Sequence, residues 1–319
     1  MKIVSQKKAF LITLLILASD FFLPVFGQQI QTADPSDAGK NDAVKTYKSA
    51  KKPDIENQKY GPSASNVLDL WQAKSTHPAP LVIYIHGRGF MAGDKSQVEG
   101  RLLDECRQAG ISVASINYRL SGEALAPAAQ HDSARAVQYL RSRAKEWNLD
   151  PTRICLTGGS AGGGISLWIG FHDDLADPTS EDPVARESTR VTCIAPFNTQ
   201  TTYDPRVLKT IINSREYKHP ALMAFYGITD TALADSPTPE LAKLFEEVSP
   251  INYLTADDPP VHITYKAEVN GIHSIKLGYL LKERMDALHI ECSIRGPQAP
   301  QYDSEQMEFI KKHLLGAER

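Results

Sequence analysis

The run Ile154-Cys-Leu-Thr-Gly-Gly-Ser160-Ala-Gly-Gly-Gly-Ile-Ser-Leu-Trp-Ile-Gly170 constrains the fold of this chain more than any other stretch. An apolar segment over residues 154–156 meets a burst of small residues, and Ile165, Trp168 and Ile169 then recur at helical spacing. The pattern reads as strand, tight turn, helix. At the turn, Gly158-Gly159-Ser160-Ala161-Gly162 fits G-x-S-x-G, in which a serine occupies a strained turn. The flanking positions must then be small, so that strand and helix can approach closely. A phosphate cradle is a poorer match: the glycines do not space as G-x-G-x-x-G, and no Gly-Lys-Ser/Thr follows.

The rest of the chain alternates in a way that gives this turn a setting. Leu81-Val-Ile-Tyr-Ile85 is continuously apolar, as expected for a strand buried on both faces of a parallel sheet, and it runs into His86-Gly87-Arg88-Gly89-Phe90. Asp94-Lys-Ser is predicted to open a helix carrying Val98, Leu102, Leu103 and Cys106 on one face, closed by Gly110. A strand over 111–116, a Tyr118-Arg-Leu turn and a helix over about 129–147 lead to the serine turn. Beyond it come a strand over 191–196 and an irregular stretch over about 198–255. A strand over 261–265, a helix over 274–287, a last strand over 290–294 and a closing helix over 305–315 complete the chain. Strands alternating with helices of this length imply an α/β fold with a mostly parallel central sheet and helices on both faces. An irregular stretch as long as 198–255 is expected to wall or cover a binding cleft.

Composition bounds the function classes. The chain has 319 residues, 42% of them hydrophobic, enough for one large α/β domain, and a formal net charge of -3 gives no pull toward nucleic acid or an anionic membrane. Residues 1–27 read as a signal peptide: a basic start to Lys8, an apolar run over 9–19, and Val25-Phe26-Gly27 ahead of a cleavage point. Asp20 and Pro24 interrupt the run, leaving it too short for a stable membrane span. A secreted or periplasmic location follows as an expectation. Residues 28–60 are polar and aperiodic and read as a flexible linker, with the folded domain over 61–319. The four cysteines, Cys106, Cys155, Cys193 and Cys292, sit in apolar patterns without metal-ligand spacing and are read as small buried residues. The acidic loop from His172 to Glu187 matches no calcium spacing and reads as solvated surface.

From about Tyr60 onward the chain resembles the α/β-hydrolase family, in the esterase and lipase branch with an H-G-G-G loop that includes hormone-sensitive-lipase-like and feruloyl-esterase-like enzymes. His86-Gly-Arg-Gly matches that loop, Gly158 to Gly162 matches the serine turn, and Tyr118-Arg-Leu with Asp132 matches the segment between them. The resemblance implies an α/β-hydrolase fold with a lid-like insertion after the sixth strand, and hydrolysis of carboxylic esters through an acyl-enzyme on Ser160. It also implies an oxyanion hole built from the amides of Gly87 or Arg88 together with Ala161. No cofactor or metal is implied, and the partner is a small-molecule or carbohydrate ester. Arg88 stands where the family has glycine. A positive φ there would strain the loop; otherwise the charge simply points into the cleft. His86 is expected to brace the loop.

The family places an acid after the seventh strand and a histidine after the eighth. Glu268 is the carboxylate close behind the seventh strand and is the candidate acid. After the eighth strand the chain reads Arg295-Gly-Pro-Gln298-Ala-Pro-Gln-Tyr302, without a histidine. His273, in the loop behind Glu268, and His219, in the insertion, are the histidines able to reach the correct edge of the sheet, and His273 is the candidate base. Two readings therefore stand open. One is a secreted serine ester hydrolase with an impaired or unusual base. The other is a catalytically inactive homologue that serves as a binding module.

Overall fold

A computed structural model of the chain describes residues 52–212, 214–266, 271–297 and 300–316. The expected signal peptide, most of the expected linker, Glu268 and Gln298 lie outside the described residues. The elements, in order, are β1 (Ile55–Lys59), β2 (Val67–Trp71), β3 (Ala79–Ile85), α1 (Gly100–Gln108), β4 (Ser112–Ile116), α2 (Ala128–Ser142), β5 (Leu149–Gly158) and α3 (Ala161–Phe171). After these come β6 (Cys193–Ile194), α4 (Pro205–Ile211), α5 (Pro220–Tyr226), α6 (Pro239–Glu247), β7 (Val261–Thr264), α7 (Ile275–Ala287), β8 (Cys292–Arg295) and α8 (Ser304–Leu315).

The strands form an eight-stranded sheet in the order β1-β2-β4-β3-β5-β6-β7-β8. β1 and β2 join antiparallel at one edge, and the strands from β4 to β8 run parallel. Alternation along β3 explains why a continuous apolar run was needed. Leu81, Ile83 and Ile85 enter one core with residues of α2, α3 and α7, whereas Val82 and Tyr84 enter another with residues of α1 and α8. A parallel sheet covered on both faces leaves no polar side to its central strands. This is the α/β-hydrolase architecture that the sequence implied. The four cysteines are free and buried, as read from their apolar settings.

Several boundaries differ from the sequence reading for local reasons. β1 lies inside the stretch read as linker. Its residues, Ile-Glu-Asn-Gln-Lys, carry no clean apolar alternation because it is an edge strand, and Asp69 Oδ1 accepts the amide of Asn57 to hold it. The helix expected from Asp94 is split. A single 3₁₀ turn, Lys95–Gln97, is capped by Asp94, and α1 starts only at Gly100. Lys95 is occupied elsewhere, buried in an ion pair with Asp69 at 2.7 Å. β6 shrinks to two residues because its neighbour β7 pairs with it only at Ile194 and Val261. Among the described residues no helix is long and apolar enough to cross a membrane.

Candidate active site

The carboxyl ends of the parallel strands converge on one edge, where open α/β sheets place their ligands. Ser160 follows β5, Gly87 and Arg88 follow β3, the insertion follows β6, and His273 follows β7. Ser160 has φ 53° and ψ -121°, a conformation that L-residues avoid and that costs on the order of 1–3 kcal/mol. The strain projects the hydroxyl out of the strand-to-helix corner. Gly162 makes the corner possible: a Cβ at this position would lie 2.0 Å from the carbonyl oxygen of Ile85 and 2.6 Å from that of His86.

His273 Nε2 lies 2.8 Å from Ser160 Oγ. The candidate base is therefore within hydrogen-bond reach of the candidate nucleophile, although it follows β7 and not β8. The ring is half-buried, and burial pulls its pKa below the usual histidine value; His219 pushes the same way, while Glu216 opposes them. The neutral imidazole is thereby favoured, and a neutral Nε2 is what can accept a proton. His219, the other histidine behind this edge of the sheet, does different work. Its Nδ1 accepts the amide of Ala221 at 3.2 Å and caps α5.

The loop that holds this base is tied to the insertion through both backbone groups of Ile272. Gln200 Nε2 donates to the carbonyl of Ile272 at 2.8 Å, and Glu216 Oε2 accepts the Ile272 amide at 2.7 Å. Neither residue stood out in the sequence. Both lie in irregular chain where no periodicity marks a position, and their partners are backbone atoms of a distant loop.

The oxyanion loop takes the strained alternative. Arg88 has φ 73°, so a glycine position is filled by a residue that pays for it in backbone strain. A Cβ on Gly87 would sit 2.4 Å from the carbonyl oxygen of Gly159, which shows how closely this loop rides on the serine turn. The amides of Gly87, Arg88 and Ala161 have no hydrogen-bond acceptor among the described residues. His86 braces the loop as expected: it is buried, stacks on Tyr118 with ring centroids 4.3 Å apart, and burial pulls its pKa below the usual histidine value. The Tyr118 hydroxyl donates to the His86 carbonyl at 2.8 Å. Asp132 holds the Arg119 guanidinium through contacts of 2.7 and 2.8 Å, fixing the turn that carries Tyr118.

A cavity of about 230 Å³ opens on Ser160, with Arg88, Phe90, Tyr203, Leu222 and Ile272 among its lining residues. Its walls come from the oxyanion loop and from the insertion, which confirms that the stretch after β6 shapes a cleft. Among the described residues no group of three or more His, Cys, Asp or Glu side chains is placed to hold a metal ion.

Comparison with known proteins agrees with this fold. The BD-FAE family model matches residues 68–274. Esterase LipQ of Mycobacterium tuberculosis is 28% identical over 210 residues, which is 65% of this chain and 47% of LipQ. The probable carboxylic ester hydrolase LipM of the same organism is 26% identical over 215 residues, 66% of this chain and 46% of LipM. The chain thus spans about half the length of these curated relatives. Among solved structures, a truncated carbohydrate esterase from gut microbiota superposes with a TM-score of 0.68 at 21% identity, covering 82% of this chain and 96% of that one. Esterase 2 of Thermogutta terrifontis, phosphonylated by sarin, gives a TM-score of 0.66 at 18% identity, covering 83% and 95%. At such identities the likeness speaks for the fold.

Proposed function

Because this chain belongs to the BD-FAE family of α/β-hydrolase esterases, we propose that it hydrolyses carboxylic esters of small acyl groups through an acyl-enzyme on Ser160, with His273 as general base. The observation that carries this reading is the 2.8 Å contact between His273 Nε2 and Ser160 Oγ. Nε2 takes the hydroxyl proton as Oγ attacks the ester carbonyl. The oxygen that becomes negative is received by the amides of Ala161 and of Gly87 or Arg88. The imidazolium then gives its proton to the departing alcohol. In the second half-reaction the same nitrogen draws a proton from water as its oxygen attacks the acyl carbonyl, and the imidazolium returns that proton to Ser160 Oγ as the acid leaves.

The experiment that tests the assignment is fluorophosphonate labelling of the purified protein, mapped by mass spectrometry, with Ser160→Ala as control. A stoichiometric adduct at Ser160 is the expected result. A folded protein that takes no label would favour the binding-module alternative.

The cavity supports short acyl groups. Its volume of about 230 Å³ is below the roughly 300–1,000 Å³ of pockets that take drug-sized ligands, and its lining is largely apolar. In a series of p-nitrophenyl esters, kcat/KM is expected to be highest for acetate to butyrate and to fall at least about tenfold by octanoate, one lost fit of about 1.4 kcal/mol or more. Export is part of the same proposal, supported by the basic, apolar and small-residue pattern of residues 1–27. N-terminal sequencing of protein recovered from outside the cytoplasm, beginning near Gln28, is the check.

Burial of His273 gives the activity a pH signature. A base whose pKa is lowered remains unprotonated to more acidic pH, so the ascending limb of kcat/KM is expected to have its midpoint below the roughly 6.5 of an unperturbed histidine. A midpoint at 7.5 or above, in that titration, would contradict a buried base.

A further inference from the structure

The carboxylate of Glu216 lies against the loop that carries the proposed base. Its Oε2 accepts the Ile272 amide at 2.7 Å, one residue before His273. A Cβ built on Gly271 would stand 2.6 Å from Oε2 and 3.3 Å from Oε1, so both oxygens face the loop at the residue before that. Glu216 belongs to a short 3₁₀ helix, Arg215–Lys218, within the insertion, and Ser214 caps that helix at the Glu216 amide. The His219 amide in turn donates to the Glu216 carbonyl at 2.9 Å, joining this turn to α5 and the cavity wall.

Resting on the reading of Ser160 and His273 given above, we propose that Glu216, carried by the insertion, is a positioning residue for the general base. It fixes the His273 loop through the Ile272 amide and sets a negative charge beside the ring that becomes an imidazolium. A serine hydrolase base needs an orienting partner of this kind, since the imidazole must present one nitrogen to the hydroxyl and carry positive charge in the transition state. The position is unusual in its origin: the carboxylate arrives from the chain after β6, where the family pattern has its acid after the seventh strand.

The groups that face His273 make the expected pH behaviour definite. Glu216 raises its pKa, and His219 of the same insertion lowers it. Arg88 of the oxyanion loop and Glu99 share the outer cleft with the ring. Glu216 is solvent-exposed, so screening moderates its charge.

The test compares Glu216→Gln, which keeps an acceptor for the Ile272 amide but removes the charge, with Glu216→Ala, which removes both. Gly271→Ala displaces the carboxylate without altering it, and Glu268→Gln is measured alongside. The expected result for Glu216→Gln is a fall in kcat of about tenfold with KM within about twofold, and an ascending limb of kcat/KM displaced by about half a unit to lower pH. Glu216→Ala should fall further, and Gly271→Ala should shift the limb in the same direction. Fluorophosphonate labelling of each variant at Ser160 should be slower yet still reach completion. A Glu216→Gln variant whose kcat and pH limb match the parent overturns the inference, as does a shift that appears in Glu268→Gln instead. In either of those cases a labelled parent leaves the reading of Ser160 and His273 standing. A parent protein that takes no label sinks that reading and this one together.

Discussion

With His273 replaced by alanine, kcat on short acyl esters is expected to fall by on the order of 10⁴–10⁶, a loss of the size seen when the base of a serine nucleophile is removed. The protein should remain folded, because His273 is a half-buried loop residue whose hydrogen bond goes to Ser160 Oγ. Without the imidazole, Ser160 keeps its strained geometry and its oxyanion donors but has nothing to take its proton. Residual turnover on the order of 10³-fold over the uncatalysed reaction is expected from those donors and from binding alone. His219→Ala provides the contrast. It lines the same cavity, but its Nδ1 caps α5, so its loss should act mainly through KM and stability. The comparison is read in the pre-steady-state burst of p-nitrophenol, which isolates acylation. Equal losses in the two variants would remove the distinction drawn between a base and a cap.

The second large effect concerns folding. Gly162→Val is expected to destabilise the domain by at least about 3 kcal/mol, at the upper end of what overpacking costs. The added Cβ alone would stand 2.0 Å from the Ile85 carbonyl oxygen, and that atom is the backbone of β3, fully buried in the sheet. A backbone atom at the centre of a parallel sheet has no rotamer to change, so α3 or the loop after β3 must move. Either movement separates the oxyanion amides from Ser160. Urea unfolding should show a lower midpoint, and activity of the residual folded fraction should fall as well. Retention of the parent midpoint would mean that α3 can rise off the sheet at little cost. Gly110→Ala is a useful control, since a Cβ there meets nothing within 4 Å although its φ of +75° adds strain.

What could be read from the sequence follows from how local its cause is. The serine turn was legible because close approach of strand and helix demands small residues at fixed offsets, and Gly158 to Gly162 supply them. The loop after β3 was legible for the same reason, and Arg88 was recognised as a departure whose cost depends on φ. The missing histidine after β8 was equally plain. What could not be read was which histidine stood in its place. His273 and His219 each sit behind the correct edge of the sheet, and the difference between them is a rotamer and a loop path fixed by Gln200 and Glu216, far away in sequence. Those two residues carried no signal of their own, since a side chain that bonds to backbone leaves no pairing pattern to find. β1 leaves no signal in the sequence because an edge strand with one weakly covered face needs no alternation of apolar residues.

The loop behind β7 is clasped by side chains of the insertion at Ile272, through its carbonyl to Gln200 and its amide to Glu216. This bears on how such a chain can change over generations. A covering segment that only touched substrate could be exchanged wholesale between relatives, and a new diet would come with it. Here an exchanged segment would remove the clasp along with the old pocket wall, and the recipient would inherit a cleft with an unsteadied histidine. On this account, single replacements along the wall, at positions such as Leu222 and Tyr203, would alter the cavity while leaving the clasp in place. Recombination is the costly route, and slow drift is the open one.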